Sequence, residues 1–184
     1  MKRTRSIKVN KRKLTLSAQV LLFFLSAADF LPIPFEGKSH YLKRVQHRKY
    51  NYYTYYQIIK RLVDKGWLKL YKDGRKNLYT LTKKGKLEAL FVKAQMPKEG
   101  KWDGKFRMVV FDIPESAKSE RNKLRWLLKN NGYKLVQKSV FVNPYPLNRE
   151  ALDYLKETGL DEYIRVFRID QADNMVKLKK MFNL

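Results

Sequence analysis

GWLKLYKDGRKNLYTLT, residues 66–82, is the stretch that decides the fold of the N-terminal half. Two short runs rich in leucine and aromatic residues, Trp67–Tyr71 and Leu78–Leu81, predict β-strands. The segment Lys72–Asn77 between them is centred on Asp73-Gly74, and Asp-Gly is typical of hairpin loops because glycine adopts the backbone conformation that a tight turn needs. The stretch therefore predicts a β-hairpin with a basic loop.

Helices are predicted before this hairpin. Apolar residues recur at helical spacing in Leu14–Ala28 and again in residues 51–65, and the polar, basic segment 36–50 between them predicts a short helix with loops. The residues predicted to be buried are Leu14, Val20, Leu21, Phe24, Leu25 and Ala28 in the first helix and Ile58, Ile59, Leu62 and Val63 in the later one. Leu31–Pro34 ends the first helix, because proline lacks a backbone donor and biases the residue before it away from the helix. Gly66 is predicted to end the last of these helices as a C-cap.

A further helix, 83–95, is predicted after the hairpin, with Thr82 as its cap. The order is then helix, helix, helix, strand, basic loop, strand, helix, which is the pattern of a winged helix-turn-helix. We predict this DNA-binding domain over residues 14–95. The last helix of such a module enters the major groove, and the hairpin loop, or wing, reaches the flanking phosphates.

The predicted recognition element is Lys49–Lys60, which is rich in tyrosine. A phenol hydroxyl can bind phosphates or base edges, and its ring can pack on sugars or fill a core. We predict that Tyr56 and Tyr53 face the core and that the side facing DNA carries Lys49, Asn51, Tyr52, Tyr55 and Lys60. The wing is predicted to contact phosphates through Lys72, Arg75 and Lys76.

The second half predicts a different domain, over residues 103–184, after a linker at 96–102. Its elements alternate in the order β-α-β-β-α-β, the ferredoxin-like arrangement, with a helix added at the C-terminal end. The predicted elements are a strand Phe106–Asp112, a helix from an N-cap at Ser116 to Asn131 that Gly132 stops, strands Tyr133–Gln137 and Ser139–Asn143, a helix capped by Asn148, a strand Tyr163–Ile169 and a helix Gln171–Phe182. The fold class is therefore α+β.

The formal net charge is +24, from 41 basic and 17 acidic side chains. Residues 1–100 carry 24 of the basic and 6 of the acidic side chains, a net charge of +18. Residues 1–13 form a basic tail with seven lysines and arginines, which is either a solvated end or an arm that neutralises phosphates. Such a charge favours a polyanionic partner, nucleic acid above a membrane surface.

The sequence contains no cysteine, which excludes disulfides and cysteine-based zinc sites. Its two histidines, His40 and His47, lie in a stretch without carboxylates nearby, so no metal site is predicted there. The basic start followed by Leu14–Ala28 has some likeness to a signal peptide, but Ser17 and Gln19 interrupt the apolar run. We therefore predict an amphipathic first helix, a cytoplasmic protein and no membrane partner.

Two stretches of the second half carry a resemblance to known families. They are Val109–Glu115 and a set running through Arg121, Leu124, Leu127, Leu128, Gly132-Tyr133 and Val136–Phe141. Together they resemble the small CRISPR adaptation subunit, which has been described as a metal-dependent nuclease. The same unit placed after a winged helix resembles the PaaX family of phenylacetic-acid catabolism repressors. The resemblance implies a homodimer built through the ferredoxin-like sheets.

The resemblance to the CRISPR subunit also gives Asp112 a candidate role. In that family the aspartate that ends the first strand pairs across the two-fold axis to hold a divalent metal, which would make Asp112 a catalytic residue and a Mg²⁺ ligand. Carboxylates held close together bind Mg²⁺ and position water against a phosphodiester. The alternative is that Asp112 satisfies backbone donors in the turn between strand and helix.

Three functions follow from these patterns. The first is a homodimeric, sequence-specific repressor of transcription that binds double-stranded DNA and requires no cofactor. The second is a Mg²⁺-dependent nuclease that uses Asp112, and the third is a subunit of a CRISPR integration complex that binds DNA without cutting it. The PaaX resemblance also implies a small-molecule effector of an acyl-CoA kind, which no residue pattern in this sequence supports.

Overall fold

The computed structural model describes residues 14–26, 33–34, 52–74, 76–96 and 102–184. The chain divides into two compact units, Lys13–Val92 and Lys93–Leu184, which we call the N-terminal and C-terminal units. Each contains one β-sheet with its own helices, so the α+β class is confirmed.

The N-terminal unit contains three helices and three strands among its described residues. They are α1 (Leu16–Ser26), β1 (Ile33–Pro34), α2 (Tyr52–Asp64), β2 (Leu68–Asp73), β3 (Lys76–Leu81) and α3 (Lys83–Ala94). The last two residues of α3, Lys93 and Ala94, already belong to the C-terminal unit. The sheet is antiparallel, in the order β1-β3-β2. The helix predicted within residues 36–50 lies outside the described residues, and so do Ala27 and Ala28 at the end of the first predicted helix.

The β-hairpin is tighter than its sequence predicts. Strand β2 continues to Asp73 and β3 begins at Lys76, and these two residues pair across the strands. Only two positions, 74 and 75, therefore separate the paired strand ends, whereas the prediction assigned all of Lys72–Asn77 to the loop. Gly74 has a φ of +54°, as a two-residue hairpin loop requires, and this turn lets cross-strand pairing continue to its edge.

Strand β1 is a feature that the sequence did not predict. Ile33 pairs with Tyr79 and Pro34 pairs with Leu78, which adds a third strand to the hairpin. The segment was predicted only as the end of the first helix. Because β1 is an edge strand, its proline removes no hydrogen bond from the interior of the sheet.

Helices and hairpin of the N-terminal unit share one apolar core. From α1 it receives Val20, Leu21 and Phe24, three of the residues that the sequence predicted to be buried. Predicted core residues Ile58, Ile59 and Leu62 of α2 are buried too. The remaining buried members of this core are Tyr55, Leu68, Tyr79, Leu81 and Ala89.

The C-terminal unit has the predicted ferredoxin-like order. Its elements are β4 (Phe106–Phe111), α4 (Lys118–Asn130), β5 (Lys134–Gln137), β6 (Val140–Asn143), α5 (Arg149–Glu157), β7 (Ile164–Ile169) and α6 (Met175–Met181), with single 3-10 turns at Glu115–Ala117 and Leu160–Tyr163. The antiparallel sheet has the order β5-β6-β4-β7, so the first and third strands of the unit lie side by side in its centre. The predicted split β-α-β arrangement is thereby confirmed.

Of the two helix caps predicted in this unit, one is confirmed and the other is wrong. Asn148 caps α5, because its side-chain oxygen accepts a hydrogen bond from the backbone N–H of Ala151 at 2.6 Å. Ser116 does not cap α4: the 3-10 turn Glu115–Ala117 comes first, and the backbone N–H of Ala117 donates to the carbonyl oxygen of Pro114. Helix α4 consequently begins at Lys118, one residue later than a cap at Ser116 predicts, and has no side-chain cap.

The two faces of the C-terminal sheet are covered by different elements. On one face the rings of Phe111 and Phe141 stack with centroids 6.0 Å apart, and Arg125 of α4 lies over Phe111. On the other face α6 packs through Leu178 and Phe182 against Phe106. Near the edge strand β7 this second face is open, and Phe167 is 47% exposed there.

Candidate nucleic-acid interface

Helix α2 is amphipathic, and its buried stripe follows the 3.6-residue period. Ile58, Ile59 and Leu62 recur at the spacing that places side chains on one face of a helix. Tyr55 lies three residues before Ile58, on the same face, and is 1% exposed. These four residues attach α2 to the core and determine which side of the helix remains outside.

The opposite side of α2 is exposed. Tyr53 is 66% exposed, Tyr56 is 43% exposed, and Lys60 and Arg61 are exposed as well. We call these four residues the α2 outer face. Two aromatic hydroxyls and two cations on one side of a helix can donate hydrogen bonds to base edges and phosphates.

The prediction for three tyrosines of this helix was wrong. It placed Tyr55 towards DNA and Tyr56 and Tyr53 in the core, and the structure has them the other way round. The physical reason is the helical period, which places Tyr55 in register with the aliphatic residues that pack on the core. Extending that stripe backwards from Ile58, Ile59 and Leu62 would have identified the outer face, including Arg61, which the sequence analysis missed.

The other predicted contact residues are only partly visible. Lys60 and Lys72 are exposed, as a contact with DNA requires, and the contact itself stays a prediction. Tyr52 is the first residue of α2 and Lys76 the first of β3, but their side chains lie outside what the structure describes. Lys49, Asn51 and Arg75 also lie outside the described residues, so their contacts with DNA stay predictions.

The base of the hairpin is held against α3 by a close contact. The Thr82 side-chain oxygen caps α3 by accepting a hydrogen bond from the backbone N–H of Gly85 at 3.0 Å, as predicted for Thr82. Its hydroxyl donates to the carbonyl oxygen of Gly66 at 2.6 Å. A Cβ atom on Gly85 would stand 1.9 Å from the carbonyl oxygen of Trp67. Only glycine therefore allows the helix to approach the strand this closely.

Asp112 is exposed at the end of β4, in the turn that leads to α4. Its backbone N–H donates to the carbonyl oxygen of Tyr163 at 3.1 Å. The neighbouring carboxylate, that of Glu115, accepts a hydrogen bond from the guanidinium of Arg121 at 2.6 Å. The charges of Asp112 and Arg121 also interact, and this interaction contributes to raising the pKa of Arg121.

Arg121 makes this turn a poor place for a cation within one chain. Its hydrogen bond and its charge lower the pKa of Glu115 from the ordinary value. The Glu115 carboxylate is therefore engaged with a guanidinium, and Mg²⁺ would have to displace that group to gain a second carboxylate. The residues of a single chain at this turn do not fit a divalent cation.

Neither a metal cluster nor a membrane span is found where the structure describes the chain. No group of three or more histidine, aspartate or glutamate side chains in those parts could hold a metal ion. His40 and His47 lie outside the described residues. None of the helices in the same parts is long and apolar enough to cross a membrane.

Comparison with known families gives two matches. Residues 41–130 match the family model described as penicillinase repressor, and residues 99–180 match the model described as the PaaX protein central Cas2-like domain. The two matches overlap over residues 99–130. No curated protein matches the chain. Together the two matches support a DNA-binding transcriptional repressor family. The matched residues include α2, the N-terminal hairpin and the C-terminal sheet.

Proposed function

We propose that this PaaX-like chain, whose matches are those of DNA-binding transcriptional repressors, is a sequence-specific repressor that binds double-stranded DNA as a homodimer. The observation that carries the proposal is the α2 outer face. It exposes Tyr53, Tyr56, Lys60 and Arg61 on a helix that has no acidic residue between Tyr53 and Arg61. A helix of this kind suits the major groove, where donors and acceptors of the base edges differ between base pairs.

The wing adds contacts that do not depend on base sequence. Lys72 is exposed near the two-residue turn, and two further cations, Arg75 and Lys76, follow Lys72 in the sequence. Cations at a hairpin tip neutralise phosphates and set the position of the helix in the groove. Lys49, Asn51 and Tyr52, at or before the start of α2, are proposed to read bases next to the outer face.

A homodimer would place two copies of α2 on a palindromic operator. The half-sites would lie about one helical turn, or a small multiple of it, apart. The partly open second face of the C-terminal sheet supports this, because Phe167 of the edge strand β7 is 47% exposed there. Bound at a promoter in the cytoplasm, the dimer would exclude the transcription machinery without a cofactor.

A gel-shift titration on the DNA upstream of the gene for this protein tests the proposal. The titration uses excess random competitor at about 0.15 M salt, where non-specific binding is weak. We expect a discrete shifted band that survives the competitor. The variant Lys60→Gln/Arg61→Gln should lose this band, whereas Lys156→Gln/Lys177→Gln, with the same loss of charge elsewhere, should retain it. Smearing that the competitor removes would mean charge-driven binding only and would favour the integration-complex function.

The match to a Cas2-like domain keeps the nuclease function as a second candidate. The same reactions with added Mg²⁺, run on a denaturing gel, decide between the two. We expect intact DNA from the wild type, because the single Asp112 carboxylate beside Arg121 supplies too few oxygen ligands to hold Mg²⁺. Shortened DNA that depends on both Mg²⁺ and Asp112, and is lost in Asp112→Ala with binding retained, would establish the nuclease and overturn the repressor proposal.

A further inference from the structure

Two lysines of the N-terminal unit lie over aromatic rings, one in the turn after α2 and one in strand β2. The Nζ of Lys65 lies 4.5 Å from the centroid of the Trp67 ring, and the Nζ of Lys69 lies 4.9 Å from that of Tyr71. We call these four residues the lysine–aromatic ladder. They follow directly after α2 and lead along β2 towards the wing turn.

The ladder occupies an open surface. Strand β2 is an edge of its sheet, and every one of its residues after Leu68 is exposed. Because side chains alternate along a strand, Lys69 and Tyr71 project to the face opposite the buried Leu68. Trp67 is half-buried and packs against the core, so it fixes one end of the ladder to the body of the unit.

The ladder continues the basic α2 outer face. Arg61 and Lys65 are four residues apart at the end of α2, which makes them neighbours on its surface. Lys72 follows beyond Tyr71 and is exposed too, on the other face of the edge strand, so exposed cations occur on both faces of β2 up to the wing turn. The exposed carboxylates of the same stretch are Asp64 and Asp73, at its two ends, and no acidic residue lies between Lys65 and Lys72.

The alternation of cations and rings has a chemistry suited to a nucleic-acid strand. A lysine held over a ring keeps its ammonium group at a defined place, where it can meet a phosphate. The rings offer flat apolar surface on which the sugars between phosphates can pack. Neither contact depends on which base is present.

We propose that Lys65, Trp67, Lys69 and Tyr71 form a second contact with duplex DNA, which binds the sugar–phosphate backbone beside the site read by α2 and has no sequence preference. The inference rests on the proposed function, since it assumes that the N-terminal unit binds DNA. It assigns to the strand face of the wing a binding role separate from that of the hairpin tip. The expected consequence is a larger footprint and a steeper dependence of affinity on salt.

The salt dependence of binding to a random duplex tests this contact. Each neutralised phosphate contributes about 0.9 to the slope of log K against log salt concentration, so Lys65→Gln/Lys69→Gln should lower the slope by about 2. The matched control Lys177→Gln/Lys180→Gln removes two exposed lysines of α6 and should leave the slope nearly unchanged. The ladder variant should weaken binding to operator DNA and to random DNA by the same factor, because it removes no base contact.

A second measurement reports on the ladder directly. In the variant Trp102→Phe/Trp126→Phe the sole tryptophan is Trp67, and added duplex should quench or shift its emission. Unchanged emission, or an unchanged salt slope in the ladder variant, while the wild type still binds duplex, would overturn the ladder and leave the proposed function standing. Failure of the wild type to bind any duplex would instead overturn the proposed function. If the ladder variant lost binding only to a single strand, the contact would belong to single-stranded DNA and the duplex assignment would be wrong.

Discussion

The amide nitrogen of Asn148 donates a hydrogen bond to the side-chain oxygen of Asn131 at 3.2 Å, and both side chains are buried. The same nitrogen lies within hydrogen-bond distance of the carbonyl oxygens of Ala94 and Met96, while the Asn148 oxygen caps α5. Asn131 donates to the carbonyl oxygen of Ala94 as well, at 2.8 Å. Two asparagines thus satisfy backbone groups at the start of the C-terminal unit, at the end of α4 and at the start of α5.

We expect Asn148→Ala to lower the free energy of unfolding of the C-terminal unit by about 3 kcal/mol, because it removes a helix cap and leaves buried carbonyl groups without a donor. Asn148→Ser retains a cap oxygen and should be less costly than alanine by about 1 kcal/mol. Urea unfolding measures both. Asn122→Ala, an exposed position on α4, is the control and should change stability by less than about 0.5 kcal/mol. Equal stability of Asn148→Ala and the wild type would show that the network contributes nothing.

The close approach of Gly85 to Trp67 makes a second prediction. Gly85→Ala would gain about 1 kcal/mol from helix propensity if the site were open. Since the new Cβ would stand 1.9 Å from the Trp67 carbonyl oxygen, we expect a net destabilisation of about 2–3 kcal/mol instead. The urea midpoint of the N-terminal unit measures it, with exposed Lys86→Ala as the neighbouring control. A stabilised Gly85→Ala would show that the strand can yield without cost.

The tyrosines of α2 should separate into two classes. Tyr53→Ala and Tyr56→Ala should each weaken operator binding about tenfold, in line with 1–3 kcal/mol for a good base contact, and leave the melting temperature nearly unchanged. Tyr55→Ala should instead destabilise the unit by about 3 kcal/mol, because it empties a buried site. Fluorescence anisotropy and thermal melts on the same variants give both readouts. A stable, binding-deficient Tyr55→Ala would restore the original face assignment.

The pair of Glu115 and Arg121 predicts a pH-dependent signal. Arg121 lowers the pKa of Glu115 in the folded state. The ionised Glu115 carboxylate therefore makes a small contribution to the stability of the fold, which is fully present above the unfolded pKa of about 4.3 and is lost as the pH falls through the lower folded pKa. Arg121→Gln should therefore return the pKa of Glu115 towards its ordinary value. An NMR titration of the Glu115 carboxyl measures this, with Arg149→Gln as the control on a different ion pair. The effect on stability should be slight, since the Glu115 side chain is 83% exposed.

The proposed dimer depends on the open part of the C-terminal sheet. Phe167→Glu places a charge where a partner sheet would exclude water, so light scattering should give the mass of one chain, 22.1 kDa, in place of two. Leu152→Glu alters an apolar residue of α5 that is similarly exposed, 43% against 47%, and should remain dimeric. A dimer that survives Phe167→Glu and dissociates in Leu152→Glu would place the interface on the helices. A wild type that is monomeric would contradict the dimer itself.

Local patterns predicted most of the elements of this chain. The stretch 66–82 gave a hairpin after a helix, and the order of the second half gave a ferredoxin-like sheet, because apolar periodicity and turn-forming glycines act over a few residues. The caps at Thr82 and Asn148 were foreseeable for the same reason. The predicted cap at Ser116 was wrong, because a 3-10 turn that begins after Pro114 includes Ser116 and precedes the helix.

The helical period of α2 shows which tyrosines face outward. Reading it required the positions of the buried Ile58, Ile59 and Leu62 to outweigh the polar chemistry of the tyrosine hydroxyl. The exposed DNA-facing candidates Tyr53, Tyr56 and Arg61 follow from that period. By itself, then, the sequence determined the order of helices and strands and the basic character of the surface, since both arise from neighbouring residues. The tertiary structure alone decided the pairing of β1 with β3, the Asn131–Asn148 network and the close packing at Gly85, because each joins residues distant in the chain whose meeting depends on how the whole unit packs.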